Sequence, residues 1–364
     1  MKKIFLSLLL LLASTGAIFA QSSLLATLSH EGEITVFYGA NALKEAHSAA
    51  QHGDAITLSS GSFNAVNITK AITLRGAGMA IDTLKNTYPT IINGSFSIII
   101  SDSISKQLTV EGIYNNYVIT ISNGLNNATF IKNRLKTIQH ETAKGDTKQY
   151  KNNRFIHCKI VEHFWGPQYT SSASMSFSNC YIRSINNNYC NSIFTNCIIY
   201  NDATYHSHSS SLYYSSLNES LQNCTFYNCI FLGAPNTGSY SYNVLHTTSQ
   251  AYNCIATNIH PYNLEGGSSY TFTNITNNTN KAIRSISSVF KSFNGTYTDL
   301  QDFELVDNLK TSFKGTDGTQ VGIHGGSLPF SPATTNPQIT KCNVASRSTA
   351  DGKLSVDIEV TCGE

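Results

Sequence analysis

Between residues 130 and 275 the chain repeats one short pattern: an aromatic or apolar residue, any residue, Asn, Cys, any residue, apolar. It reads Phe177-Ser178-Asn179-Cys180-Tyr181-Ile182 and then Phe194-Thr195-Asn196-Cys197-Ile198-Ile199. Leu221 to Phe226, Phe226 to Phe231 and Ala251 to Ala256 follow the same form. Weaker copies start at Phe130, Phe155 and Phe272. Aligned on the Cys position, the copies fall at 133, 158, 180, 197, 229, 254 and 275. Alternate residues of a strand share a face, so Cys and the apolar residue two further on point together. The aromatic three before Cys shares that face only if the chain bends between them. Asn sits at the bend, and it is the non-glycine residue that best tolerates a left-handed backbone. Strand, Asn corner, strand, at a spacing of twenty-odd residues, predicts the coil of a solenoid.

The ends fit a solenoid with caps. Gly39 to His52 reads as a short amphipathic helix with Ala40, Leu43, Ala46 and Ala50 on one face. It leads into Gly53-Asp54-Ala55-Ile56-Thr57-Leu58 and Ile72-Thr73-Leu74-Arg75-Gly76-Ala77-Gly78. An end coil exposes open strand edges, so a covering helix is expected there. This opening, with a far end running from Asp302-Phe303-Glu304-Leu305 to Gly325-Gly326, resembles the pectin-lyase-like right-handed parallel β-helix superfamily, in its secreted bacterial, Bacteroidetes-like members. The resemblance spans roughly residues 35 to 326. It implies an all-β, single-stranded right-handed parallel β-helix with an N-terminal capping helix and a C-terminal β-hairpin. The expected divisions are a signal peptide over 1–20, an N-terminal segment and capping helix over 21–53, the β-helix over 54–326, and a linker with hairpin over 327–364. About a dozen coils are expected.

The hairpin expectation is specific. Leu354, Val356, Ile358 and Val360 alternate with polar residues as in a half-buried strand, and Asp351-Gly352 signals a turn. Centring the turn on Gly352 pairs Val344 with Val360 and Cys342 with Cys362. That register predicts a Cys342–Cys362 disulfide, worth about 3 kcal/mol for a loop of about 20 residues.

Composition narrows the function. Charged residues make up 13% of the chain and the net charge is +2, which excludes a strongly basic nucleic-acid surface. Lys2 and Lys3, the apolar run Ile4 to Leu12 (broken by Ser7) and the small residues ending at Ala20 read as a secretory signal peptide cleaved after Ala20. A periplasmic or extracellular location is therefore expected, with no membrane span and a monomeric chain. Nine cysteines in an exported protein suggest disulfides. Yet Cys158, Cys180, Cys197, Cys224, Cys229 and Cys254 take inward repeat positions, where stacked side chains run parallel and fit disulfide geometry poorly. Free buried thiols are expected for these six, while Cys190 falls outside the pattern.

Three chemistries are open to such a chain. Glycoside hydrolysis needs two flanking carboxylates, but only Glu162, Asp202, Glu219 and Glu265 are acidic between residues 147 and 298, and none is in a paired motif. Polysaccharide β-elimination needs a base and a cation to neutralise a uronate carboxylate. The stretch 132 to 165 supplies candidates in Arg134, Arg154, His157 and His163, with Arg134 and Arg154 read as equivalent positions one coil apart and Arg183 as a continuation. Trp165, the single tryptophan, and Tyr169 offer faces for sugar rings. His206 and His208 could share a strand face, but no third metal ligand is evident. No metal site or cofactor is expected, with a calcium (Ca2+) requirement left open. The expectation is a protein that binds a polysaccharide or cell-surface glycan and, in a lyase reading, cleaves it. The alternative is a non-catalytic surface or adhesion scaffold.

Overall fold

The computed structural model describes residues 24–81, 88–101, 104–141, 147–167, 173–186, 191–201, 223–233, 242–243, 248–258, 270–271, 279–333, 338–345, 347–349 and 351–361. The signal-peptide residues, Tyr169, Cys190, the His206–His208 pair and Cys362 lie outside them.

The fold is an all-β parallel solenoid. An eleven-stranded sheet A and a twelve-stranded sheet B run along it, each coil giving one short strand to A and one to B. Parallel pairing in sheet A begins at Ala55–Leu58 and reaches Gln250–Tyr252; in sheet B it runs from Gly61–Asn64 to Lys281–Ser285. The path through sheet B counts ten strands among the described residues, which makes the stack roughly 45 Å long at the usual strand spacing. The expected dozen coils are thus too many, because residues beyond 285 leave the ladder.

The predicted corner is present. Lys132, His157, Asn179, Asn196, Asn228 and Asn253 all carry φ between 50° and 58°, one per coil, between sheet A and sheet B. Gly112, at φ 67°, holds the same place one coil below Lys132. Turning there lets the residues on both sides face inward. Phe130, Phe155, Phe177, Phe194 and Phe226 stack in one column, with centroids 4.6–4.8 Å apart and near-parallel rings. That separation is the spacing of the strands themselves, so each coil contributes one ring.

The column beside it is made of thiols. Cys158, Cys180, Cys197, Cys229 and Cys254 are buried and free. They do more than fill space. The Cys158 N–H donates to Cys180 Sγ at 3.4 Å, Cys197 to Cys229 Sγ at 3.4 Å and Cys229 to Cys254 Sγ at 3.3 Å. Each thiol in turn reaches a carbonyl of the phenylalanine column, Cys180 Sγ to Phe155 O at 3.4 Å for example. At both ends of the column an asparagine does the same work. Asn133 Oδ1 accepts the Ile113 N–H at 2.9 Å, and Asn280 Oδ1 accepts the Cys254 N–H at 2.7 Å. Asn280 continues the column, and the expected position 275 lies outside the described residues. Cys224 is also free and buried, but it opens a sheet A strand and belongs to a different ladder, bonded from its N–H to Ser249 Oγ.

The N-terminal cap has two parts. The helix Ala42–Ala49 buries Leu43 and Ala46 against the first coil, as expected, and Ala42 with them, whereas Ala40 precedes the helix and is exposed. A hairpin of Leu25–His30 and Glu33–Tyr38, which the sequence reading missed, adds antiparallel to the Ala55–Leu58 strand and closes that edge of sheet A.

Residues 286–330 lie outside the ladder. They do not form a closing coil but fold back as a strap over the outer face of sheet B. The outward column of that sheet, Tyr181, Ile198, Ile230 and Ile255, is covered by Val289, Phe290, Phe293, Phe303, Val321 and Ile323 in a second core. The strap then follows the corner backwards, coil by coil. Asn253 Nδ2 donates to Lys314 O, Asn228 O accepts from the Gly322 N–H, and Asn179 Nδ2 donates to Ile323 O and Gly325 O, all at 2.8–2.9 Å. Corner asparagines thus serve twice, once for the bend and once to dock the strap.

The C-terminal hairpin exists, in a different register. Gln338–Val344 pairs with Val356–Thr361, setting Val344 opposite Val356 and Cys342 opposite Ile358. Gly352 is left-handed as predicted, at φ 77°. However, the tight turn closes on Thr349, with Gly352 N–H to Thr349 O at 2.9 Å and Thr349 N–H to Lys353 O at 2.7 Å, inside a loop from Ala345 to Ser355. This shifts the pairing by four residues from the expected one, so the register that predicted the Cys342–Cys362 disulfide is not the one formed. Nor is the Val356–Thr361 strand half-buried: Val356, Ile358 and Val360 are 51–52% exposed, because the two strands pair only with each other.

Candidate functional site

The charged stretch that sequence analysis singled out is divided by the fold among three surfaces. Arg134 begins a sheet B strand and points outward beneath the strap. Its Nε donates to Asp299 Oδ1 at 3.0 Å, its Nη1 donates to Asn116 Oδ1 at 2.8 Å, and its guanidinium lies 4.4 Å from the centre of the Tyr114 ring. Its neighbour one coil up is Lys159, not Arg154. Lys159 donates to the carbonyls of Asp299 and Gln301, at 3.0 and 3.4 Å. Burial holds the Lys159 ammonium below its ordinary pKa, against the pull of Asp299. Arg154 lies in sheet A, exposed between Thr129 and Ser176. The expected equivalence of Arg134 and Arg154 fails because the local coil is 25 residues long (Asn133 to Cys158), not 20.

His157 is a corner residue. Its Nε2 donates to Leu328 O of the strap at 3.0 Å, and burial lowers its pKa. Arg183 returns to the outside of sheet B, its guanidinium 5.8 Å from the Tyr200 ring. Arg134, Arg154, His157 and His163 therefore do not converge, and the first three serve strap, surface and corner.

His163 and Trp165 stand elsewhere, on a second facet of sheet B. The strand Lys159–Trp165 bends midway. Its first half pairs with Tyr181–Ile182 and its second half with Ile185–Asn186. A register shift in the neighbouring ladder marks the same bend. Beyond it Phe164 points inward, edge-on to Phe155 at 5.5 Å and to Phe177 at 5.2 Å. Parity then turns His163 and Trp165 outward, 5.8 Å apart. Trp165 is 36% exposed. It is held from within, because His140 Nδ1 donates to Trp165 O at 2.8 Å while the His140 ring packs on Tyr150 and Phe164. Burial keeps His140 neutral by lowering its pKa to about 4.

One coil below Trp165 lies Gln139, and one below that Thr120, in direct register. The parallel row is His163, Thr137, Val118. Along the bend run Lys136 and Glu162, an ion pair of 3.5 Å, and Tyr117, which is 42% exposed. The facet is therefore a shallow strip of hydroxyl, amide and aromatic groups over three coils. Tyr117, Gln139 and Thr120 were not foreseen; their parity is set by the bend, which no residue in the sequence announces. Among the described residues no cluster of three or more His, Cys, Asp or Glu could hold a metal ion. No described helix is long and apolar enough to cross a membrane. Compared with protein-family models, with curated proteins and with solved structures, the chain matches none.

Proposed function

We propose that this is an exported glycan-binding protein of the pectin-lyase-like type, whose ligand lies on the second facet of sheet B around Trp165. The observation that carries this reading is the exposed indole at the end of a polar strip, on backbone held from the core by His140. An aromatic face supported by strands offers a sugar ring contact area at little cost in ordering. The division of Arg134, Arg154 and His157 over other surfaces favours binding over β-elimination, which needs base and cation together. The signal-like N-terminus supports an extracellular or periplasmic setting, where polysaccharides are met. Trp165→Ala should lower glycan affinity about tenfold or more, as loss of a central tryptophan does in other interfaces, with the thermal midpoint nearly unchanged. Affinity electrophoresis of both proteins against a polysaccharide panel tests it. Equal binding by the variant would rule out this facet.

A further inference from the structure

Resting on that reading, we infer that the ligand of the Trp165 facet is a neutral polysaccharide lying along the solenoid axis, not a uronate. The argument is one of charge already spent. Lys136, the cation at the edge of the strip, is paired with Glu162 at 3.5 Å. Arg134 is bound to Asp299 and Asn116, and Lys159 is turned under the strap onto carbonyl oxygens. Arg183 lies against Tyr200. Each of these side chains on the outer face of sheet B is engaged within the chain, and Arg154 faces away on sheet A.

A uronate carboxylate on this strip would have to break one of these pairs or remain without a counter-charge, and Glu141 stands exposed at the end of the neighbouring strand to repel it. What the strip does present suits sugar hydroxyls. Thr120 and Gln139 combine donors and acceptors in the row that ends at Trp165, with the half-buried His163 ring in the row beside it. Direction follows from register. Thr120, Gln139 and Trp165 recur at one-coil intervals, about 4.8 Å, a length comparable to one sugar of an extended chain. A chain laid along the axis stays on this row over all three coils; one laid across the strands leaves it after one coil.

The test is a titration of the intact protein with neutral linear oligosaccharides (glucan, xylan and mannan series) and with polygalacturonate and alginate oligomers. The expected result is binding to at least one neutral series. Its affinity should rise to about three or four units and then level, since the strip spans three coils. It should change less than about twofold between 50 and 500 mM salt, because no ion pair forms. Trp165→Ala should lower it about tenfold or more, and Thr120→Val should weaken the longer oligomers while leaving disaccharide binding unchanged. Salt-sensitive binding of the uronates in preference to the neutral series would overturn the neutral assignment yet leave the facet a glycan site. An affinity independent of length, with Thr120→Val silent, would overturn the axial orientation. Binding to neither class by the folded protein would overturn the glycan reading itself.

Discussion

Arg134 and Asp299, separated by 165 positions, meet in a 3.0 Å ion pair on the outside of sheet B. Asp299 also accepts from the Tyr297 hydroxyl at 3.0 Å, and Tyr297 stacks on Tyr181 at 4.7 Å. The most attractive charge in the sequence thus fastens the strap, with aromatic packing beside it. Arg134→Ala should cost about 1.5–3 kcal/mol of stability, the scale of a hydrogen bond to a charged group, and leave glycan affinity unchanged. Urea unfolding of the variant beside a binding titration checks both. A loss of affinity with full stability would return Arg134 to the site.

The thiol column separates two roles that sequence alone treats as one. If Cys180 were only a small apolar filler, alanine would replace it better than serine. In the structure its sulfur accepts the Cys158 N–H and its S–H reaches the Phe155 carbonyl. Cys180→Ala strands a buried N–H, so it should cost about 1–3 kcal/mol. Cys180→Ser keeps a donor and an acceptor and should cost less. Chemical denaturation of the two variants gives the order; alanine above serine in stability would refute the hydrogen-bonding role.

Burial pushes the Cys158 thiol up, away from its reactive thiolate. Cys158, Cys180, Cys197, Cys224, Cys229 and Cys254, all buried, should resist a thiol reagent in the native protein and react on unfolding. Peptide mapping after labelling with and without denaturant reads this residue by residue.

Acid should weaken the fold through His140. Its pKa is lowered from 6.5 to about 4 by burial, so the unfolded chain takes up a proton that the native ring refuses. The stabilisation is complete above pH 6.5 and is lost as pH falls toward 4, by up to about 3 kcal/mol at 1.36 kcal/mol per unit. His140→Gln should flatten the stability profile between pH 6.5 and 4 by close to one proton. An unchanged slope would show that His140 does not carry it.

The hairpin should be expendable for folding. Val356, Ile358 and Val360 are exposed, and an isolated pair of strands adds little stability of its own. A chain ending at Ala333, which keeps the strap, should melt within about 2 °C of the full protein, since surface changes are usually worth under 0.5 kcal/mol. A larger fall in a calorimetric scan would mean that the hairpin packs on the solenoid in solution.

What the sequence determined by itself is everything repeated locally. Burial selects Phe177 and Cys180 for the inside, and the left-handed turn selects Asn179 between them, so three adjacent residues disclose the coil without its neighbours. The same holds for Leu43 and Ala46 in the capping helix and for Gly352 in its turn. What only the tertiary structure decided is everything that lies outside the coil. An outward arginine looks the same whether it faces water, a sugar or a strap. Arg134 became a clasp because Asp299 returns over it, and Arg154 an ordinary surface residue because its coil is 25 residues long. Trp165 gained its outward aim from a bend in mid-strand that shifts parity. The hairpin register slipped by four because Thr349 and Lys353 close the turn, a contest between nearly equal pairings that alternation alone cannot rank. Period reports which side a residue takes within its own strand; the partner across that side belongs to chain far away, and local pattern carries no record of it.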